Sequence, residues 1–185
     1  QRAHGPHVLL TLAAPPLLIS GTPNWLIRPL LRPAWTYRLA RILTHPIVAF
    51  AALNLVFSMW HTPALYEGAI DIHAIHFLEH FPMVGTATMM WWPLVSRMPE
   101  LPRLPYPAQM IYLLGLSIAQ IIVFGGLVFS SEPVYSFYEN APRIRGLTPL
   151  EDQQIGAVIM KVGGGFLFLT LLIVAFFRWS REEAN

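Results

Sequence analysis

The 185-residue sequence contains no cysteine and little charge. Without cysteine, disulfides, thiolate metal sites, iron–sulfur clusters and cysteine-based catalysis are excluded, so a bound metal must use His, Met, Asp, Glu or backbone ligands. Charged residues make up 12% of the chain, whereas soluble domains carry about a quarter. Hydrophobic residues make up 55%. This composition predicts an integral membrane protein in contact with the lipid bilayer.

The formal net charge of +2 is also small. Nucleic-acid binding needs Lys and Arg clustered on one exposed face, whereas the arginines here lie in short stretches between apolar runs. We therefore expect no nucleic-acid partner.

Long apolar runs predict the membrane crossings. A helix needs roughly 20 mostly apolar residues to cross the hydrocarbon core, and four runs meet or approach that length: 43–60, 72–95, 108–129 and 155–177. A shorter run, 8–20, is predicted to cross as well, with a kink at Pro15 and Pro16. The expected fold is all-α, a polytopic transmembrane helix bundle of about five spans that forms a single domain over 1–185.

The arginines predict the orientation, because cytoplasmic loops are enriched in Lys and Arg. They lie mainly between the first and second runs, between the third and fourth, and after the fifth. These three places share one side of the membrane if all five runs cross. We therefore expect arginine-rich loops in the cytoplasm and a multi-pass protein of the bacterial inner (plasma) membrane. Segment 133–150 is predicted to be an ordered external loop whose aromatic residues suit the membrane interface.

In this topology, six of the seven histidines lie on the outer side. His4 and His7 begin the first run, His61 ends the second, and the first turns of the third contain His73, His76 and His80. At 100° per residue, the last three lie within a sector of about 60°. Ionisable side chains inside a bilayer are costly and normally pair or bind something. The stripe therefore predicts a ligand.

Other donors accompany the histidines. Met83 continues the stripe and Glu79 lies beside it. Asp152 just before the fifth run and Met160 within it are eight residues apart. Imidazole and thioether without thiolate suit copper, above all Cu(I), whereas imidazole alone also suits zinc, iron or haem. Each His or Met taken singly can instead be structural, which is our interpretation of His45 at a cytoplasmic helix end.

One local motif keeps other functions open. His76, Glu79 and His80 match H-x-x-E-H, in which two histidines bind zinc and the glutamate activates water. A membrane metal-dependent hydrolase is therefore an alternative to non-enzymatic metal handling. A haem-binding accessory subunit of a respiratory oxidase complex, with imidazoles paired across helices, is a third possibility.

The sequence resembles the CtaG family, membrane proteins associated with assembly of caa-type cytochrome c oxidase. The resemblance covers nearly the whole chain. The motifs that carry it are His4-x-x-His7, Ala14-Pro15-Pro16-Leu17-Leu18 with Gly21, Trp60-His61-Thr62-Pro63-x-Leu65-Tyr66, His76-x-x-Glu79-His80, Trp91-Trp92-Pro93, Pro133-x-Tyr135-x-x-Tyr138, Asp152-Gln153-Gln154 and Ile159-Met160.

The resemblance implies a copper chaperone or insertase, not an enzyme, that serves cytochrome c oxidase subunits from a site facing the periplasm or cell exterior. Carried over residue by residue, the metal positions are His4, His7, His61, His76, His80, Asp152 and Met160, with Glu79 in support. Lys161 departs from the pattern, in which Trp commonly follows the Met. Family members usually have about seven spans, so we expect about two helices to precede this chain, which begins at Gln1 without an initiator Met.

Overall fold

The computed structural model describes residues 9–140 and 146–184, and in these ranges the regular structure is helical, with no strand. The helices are α1 Ala14–Gly21, α2 Asn24–Ile27, α3 Ala34–Leu43, α4 Pro46–Trp60, α5 Pro63–Asp71, α6 His73–Val95, α7 Tyr106–Ala119, α8 Ile121–Val128, α9 Ser136–Asn140 and α10 Pro149–Glu183. A π-helical turn, Leu9–Ala13, precedes α1, and a 3-10 turn, Arg28–Leu31, follows α2. The predicted all-α class is confirmed.

Fewer helices can cross a membrane than the sequence predicted. Two stretches of the described chain are long and apolar enough, Tyr106–Val128 and Pro149–Glu183. The bent pair of α3 and α4 makes a third if it is one broken span. Helix α6 is 23 residues long but is not among these candidates, because three histidines and one glutamate lower its mean hydropathy, and the first run supplies only a short apolar helix, Leu10–Gly21. The count is therefore two or up to three, not about five.

Prolines explain where the helices begin. The predicted run 43–60 is interrupted after Leu43, because a residue that precedes proline is disfavoured in helical conformation and Pro46 follows His45. Helix α4 then begins with Pro46, where the missing N–H has no intrahelical partner to lose. Pro15 and Pro16 likewise lie in the first turn of α1. The π-helical turn Leu9–Ala13 runs directly into α1 at these prolines, and the predicted kink stays a prediction.

The chain forms two compact units. The first comprises Gln1–Phe57 and Phe77–Pro105, and the second comprises Ser58–His76 and Tyr106–Asn185. In the first unit, Nε1 of Trp91 donates a 3.0 Å hydrogen bond to the carbonyl oxygen of Thr11. In the same unit, Arg28 pairs with Glu100 at 2.9 Å. The single domain predicted over 1–185 stays a prediction.

The second unit is built around α10, which packs along α7 and α8. Thr148 and Glu151 form a capping box at its start: the Thr148 hydroxyl accepts from the Glu151 N–H, and the Glu151 carboxylate accepts from the Thr148 N–H. Helix α10 therefore begins at Pro149, six residues before the predicted run 155–177, because capping and not apolar content decides where a helix starts.

The predicted run 108–129 is divided into α7 and α8 at Gln120. Lys161 of α10 donates a hydrogen bond to the carbonyl oxygen of Ser117, in the last turn of α7. Helix ends leave carbonyl oxygens without intrahelical donors, and a cation near a helix C-terminus is favourable. The ammonium group of Lys161 therefore pairs with a carbonyl oxygen at the C-terminal end of α7, next to the break between the two helices.

Candidate functional site

The predicted metal positions fall in different parts of the chain. His61, His76, Asp152 and Met160 belong to the second unit, and His80 belongs to the first. His4 and His7 lie outside the described residues. Within residues 9–140 and 146–184, no three His, Asp or Glu side chains are placed so that they could hold one metal ion.

His76 has a defined environment at the start of α6. Its Nδ1 lies 3.3 Å from the carbonyl oxygen of Ala69 in α5. A carbonyl oxygen can only accept, so this contact requires the proton on Nδ1, and the neutral ring then carries its lone pair on Nε2. Histidines that bind metals commonly donate their other ring N–H to a carbonyl in this way.

The His73 ring lies next to that of His76, with ring centroids 6.5 Å apart and planes at 12°. The two side chains are three residues apart, which places them on neighbouring positions of one helix face. His80 follows on the same helix, so the backbone confirms the i, i+3 and i+7 spacing predicted for the histidine stripe. Beside it, Glu79 is buried.

His61 is held by its backbone and by its ring. Its carbonyl oxygen accepts a 2.8 Å hydrogen bond from the Tyr135 hydroxyl. Its ring meets that of Phe124 edge to face at 6.1 Å. Tyr135 in turn stacks on Tyr66, with centroids 4.0 Å apart. The predicted ligand therefore lies in an aromatic cluster, formed by His61, Tyr66, Phe124 and Tyr135.

Gln153 connects α10 to the segment that carries Tyr135. Its Oε1 accepts from the N–H groups of Val134 at 2.8 Å and Tyr135 at 3.2 Å, and its Nε2 donates to the Ser130 hydroxyl at 3.2 Å. Only 1% of Gln153 is exposed. A buried amide costs free energy unless its polar atoms are paired, and here both are.

Tyr138 packs against α10 at Gly156, which is one helical turn after the predicted ligand Asp152. A Cβ atom on Gly156 would lie 3.4 Å from the Tyr138 hydroxyl oxygen, so the glycine leaves room for this close approach. Burial raises the pKa of Tyr138 above its usual value, the hydrogen bond with Tyr66 opposes this, and the charge of Asp152 adds to it. The phenol is therefore neutral at ordinary pH.

A comparison with known protein families identifies the family of this chain. The family described as cytochrome c oxidase caa3 assembly factor (Caa3_CtaG) matches residues 4–182. The chain belongs to this family. The resemblance drawn from the motifs is confirmed, and with it a role in oxidase assembly and association with cytochrome c oxidase. No curated protein and no solved structure matches the chain.

The structure adds residues of this assembly factor that the sequence did not connect with His61. Tyr66, Tyr135 and Gln153 organise the surroundings of that histidine. Tyr135 and Tyr138 are 2% and 8% exposed, so they pack inside the protein, and the location of segment 133–150 at the membrane interface stays a prediction. Their spacing of three residues was the available signal, since it suits one face of a helical turn.

Proposed function

We propose that this assembly factor is a non-enzymatic copper chaperone or insertase, which receives copper as cargo and passes it to a subunit of cytochrome c oxidase. Family membership supports the assembly role. The observation that carries the copper proposal is the contact of His76 Nδ1 with the Ala69 carbonyl. It directs the lone pair to Nε2, the arrangement that suits an imidazole ligand.

The ligand chemistry also favours copper as cargo. His76 and His80 supply imidazole four residues apart on one helix, the spacing at which two side chains can share a metal. A carrier must release its cargo, so at least one ligand should be exchangeable, and the thioether of Met160 or the carboxylate of Asp152 suits that role. The remaining proposed ligands are His4, His7 and His61.

Copper binding can be tested directly on the purified full chain in detergent. We expect it to bind Cu(I) in competition with a chromogenic chelator, and we expect His76→Gln and His80→Gln each to weaken binding at least tenfold. His45→Gln is the matched control and should bind like the unaltered protein. Tightly held zinc would favour the hydrolase instead, and a Soret band would favour haem; either outcome contradicts the copper proposal.

The same residues can be tested in cells. His76→Ala and His80→Ala should each abolish oxidase maturation while the protein stays inserted and abundant, whereas His45→Ala should have little effect. Copper binding and oxidase activity that survive loss of both histidines would show that the site assignment is wrong, although the family assignment would stand.

We further propose that the protein lies in the bacterial inner membrane with its arginine-rich loops in the cytoplasm and the metal site facing the periplasm. The chain has no cysteine, so single cysteines at positions 38, 67 and 103 report accessibility without background. This orientation requires α6 to cross the membrane as well, although it is more polar than the candidate spans. A membrane-impermeant reagent should then label position 67 from the periplasm and positions 38 and 103 only after the inner membrane is permeabilised. Equal labelling of positions 67 and 103 from one side would show that α6 does not cross. The reverse pattern would overturn the orientation.

A further inference from the structure

Segment 24–43 leaves most of its large apolar side chains exposed. Neither α2, the 3-10 turn that follows it, nor α3 contains a buried residue. The large exposed side chains are Trp25, Leu26, Leu30, Trp35, Leu39, Ile42 and Leu43, and Trp35 is 69% exposed. A contiguous apolar surface of this kind marks an interaction with another protein or with a membrane.

Helix α3 is amphipathic. At 100° per residue, Trp35, Leu39 and Ile42 lie within a sector of about 60°, while Arg38 flanks this face and Arg41 projects from the far side. Transmembrane helices are apolar on all sides, as α4 is, whose 15 residues include no charged side chain. The composition of α3 is instead that of helices that lie in the membrane surface, with Trp and aliphatic residues on one face and arginines beside and behind it.

The charge of the segment is uniformly positive. The sequence has no Asp or Glu before Glu67. Arg28 is paired with Glu100, and Arg41 lies over the ring of Tyr37, 5.9 Å from its centroid. In the part of the chain that the structure describes, Arg32 and Arg38 form no ion pair. These cations therefore suit an anionic surface outside the protein.

The direction of α3 agrees with this reading. It is bent by 66° from α4 across the break at Thr44 and His45. If α4 enters the bilayer steeply, α3 lies close to the membrane plane. The aromatic side chains of Trp35 and Tyr37 then fall at the level of the headgroups, where such residues are enriched.

We propose that α3 is an interfacial helix that binds the surface of an anionic phospholipid bilayer, with Trp35, Leu39 and Ile42 toward the acyl chains and Arg38 and Arg41 toward lipid phosphates. Helix α3 is then an anchor and not the first half of a broken span. This assignment is independent of copper binding.

Fluorescent probes on single cysteines test the depth of α3 in the full chain. The protein is labelled with an environment-sensitive probe at position 35, 39 or 42 and reconstituted in vesicles of phosphatidylcholine with phosphatidylglycerol. Probes at position 37 or 40, on the other face of α3, are the matched controls. Lipids brominated near the headgroup should quench the first three probes strongly and to the same extent, and the controls weakly.

Two results of this depth measurement would overturn the proposal. A crossing helix would carry the probe about 10 Å deeper between positions 35 and 42, so quenching that changes steadily along these positions contradicts an interfacial helix. Probes at 35, 39 and 42 that are shielded from water but unreachable by brominated lipid would show that a second copy or a partner protein covers this face.

A second measurement tests the anionic partner. Omitting phosphatidylglycerol, or replacing both arginines as Arg38→Gln/Arg41→Gln, should reduce quenching at position 39 at least twofold. The control Arg178→Gln/Arg181→Gln removes the same charge from the end of α10 and should leave this quenching unchanged. Quenching that is insensitive to both phosphatidylglycerol and the two arginines contradicts recognition of lipid phosphate.

Discussion

The hydroxyl of Tyr135 donates a 2.8 Å hydrogen bond to the carbonyl oxygen of His61, 74 residues earlier in the chain. Tyr135 also stacks on Tyr66, and the backbone N–H of Tyr135 donates a hydrogen bond to Oε1 of Gln153. One buried side chain therefore ties the segment before α9 to the end of α4. A residue proposed to bind copper is positioned by a segment that sequence analysis regarded as an external loop.

Tyr135→Phe removes this hydrogen bond and keeps the ring. We expect the free energy of unfolding of the second unit to fall by about 1 kcal/mol, the usual net contribution of one intramolecular hydrogen bond. Thermal unfolding in detergent measures the change. Glu132→Gln, an exposed change in the same segment, is the control, and an equal loss in both variants would contradict a specific role of the hydroxyl.

Gln153→Leu should be among the most damaging single changes in this unit. It leaves the N–H groups of Val134 and Tyr135 without their acceptor, at about 1 to 3 kcal/mol for the buried Tyr135 N–H and less for Val134, which is exposed. The neighbouring variant Gln154→Leu is a matched comparison, because among the described residues Gln154 donates a single hydrogen bond, to the Ser130 carbonyl at 3.2 Å. We expect a clearly lower melting temperature, and faster protease cleavage between Ser130 and Thr148, for the Gln153 variant. Similar behaviour of the two variants would show that Gln153 does not hold this segment.

Alkaline pH should destabilise the second unit. Burial, with a smaller contribution from Tyr138, raises the pKa of Tyr135 above its usual value near 10. Above pH 10 the unfolded chain releases this proton while the folded chain retains it, so stability falls as pH rises, by at most about 1.4 kcal/mol per pH unit for one tyrosine. Below pH 9 we expect no such change. Melting curves from pH 8 to 11 should fall less steeply for Tyr135→Phe than for the unaltered protein, and parallel curves would contradict this explanation.

The start of α10 depends on its capping box. Thr148→Ala removes the side chain that accepts from the Glu151 N–H and should cost about 1 kcal/mol, whereas Thr148→Ser keeps the hydroxyl and should cost little. Hydrogen exchange of the amides in the first turn of α10 measures the effect locally. Exchange that is equally slow in Thr148→Ala and the unaltered protein would show that packing alone holds this helix end.

Local sequence information was enough for the helical class and for most helix positions. The predicted run 72–95 nearly coincides with α6, His73–Val95, because its polar side chains are spaced at helical intervals and do not interrupt the helix. Apolar length was a poorer guide to helix ends: α10 extends to Glu183 through polar turns. The length of the apolar run 43–60 also gave no sign that a helix begins at Pro46, although the effect of proline on the preceding residue is itself local.

By itself, the sequence determined the membrane class, the helical fold, the absence of thiolate chemistry and the family, since these depend on composition, local periodicity and motif order. Only the tertiary structure decided that Lys161 binds the Ser117 carbonyl 44 residues away, that Gln153 orders the segment of Tyr135, and that His76 meets Ala69 through Nδ1. The physical reason is that a side chain's partner depends on which helices pack together and at what rotation. No local pattern in the chain specifies that arrangement.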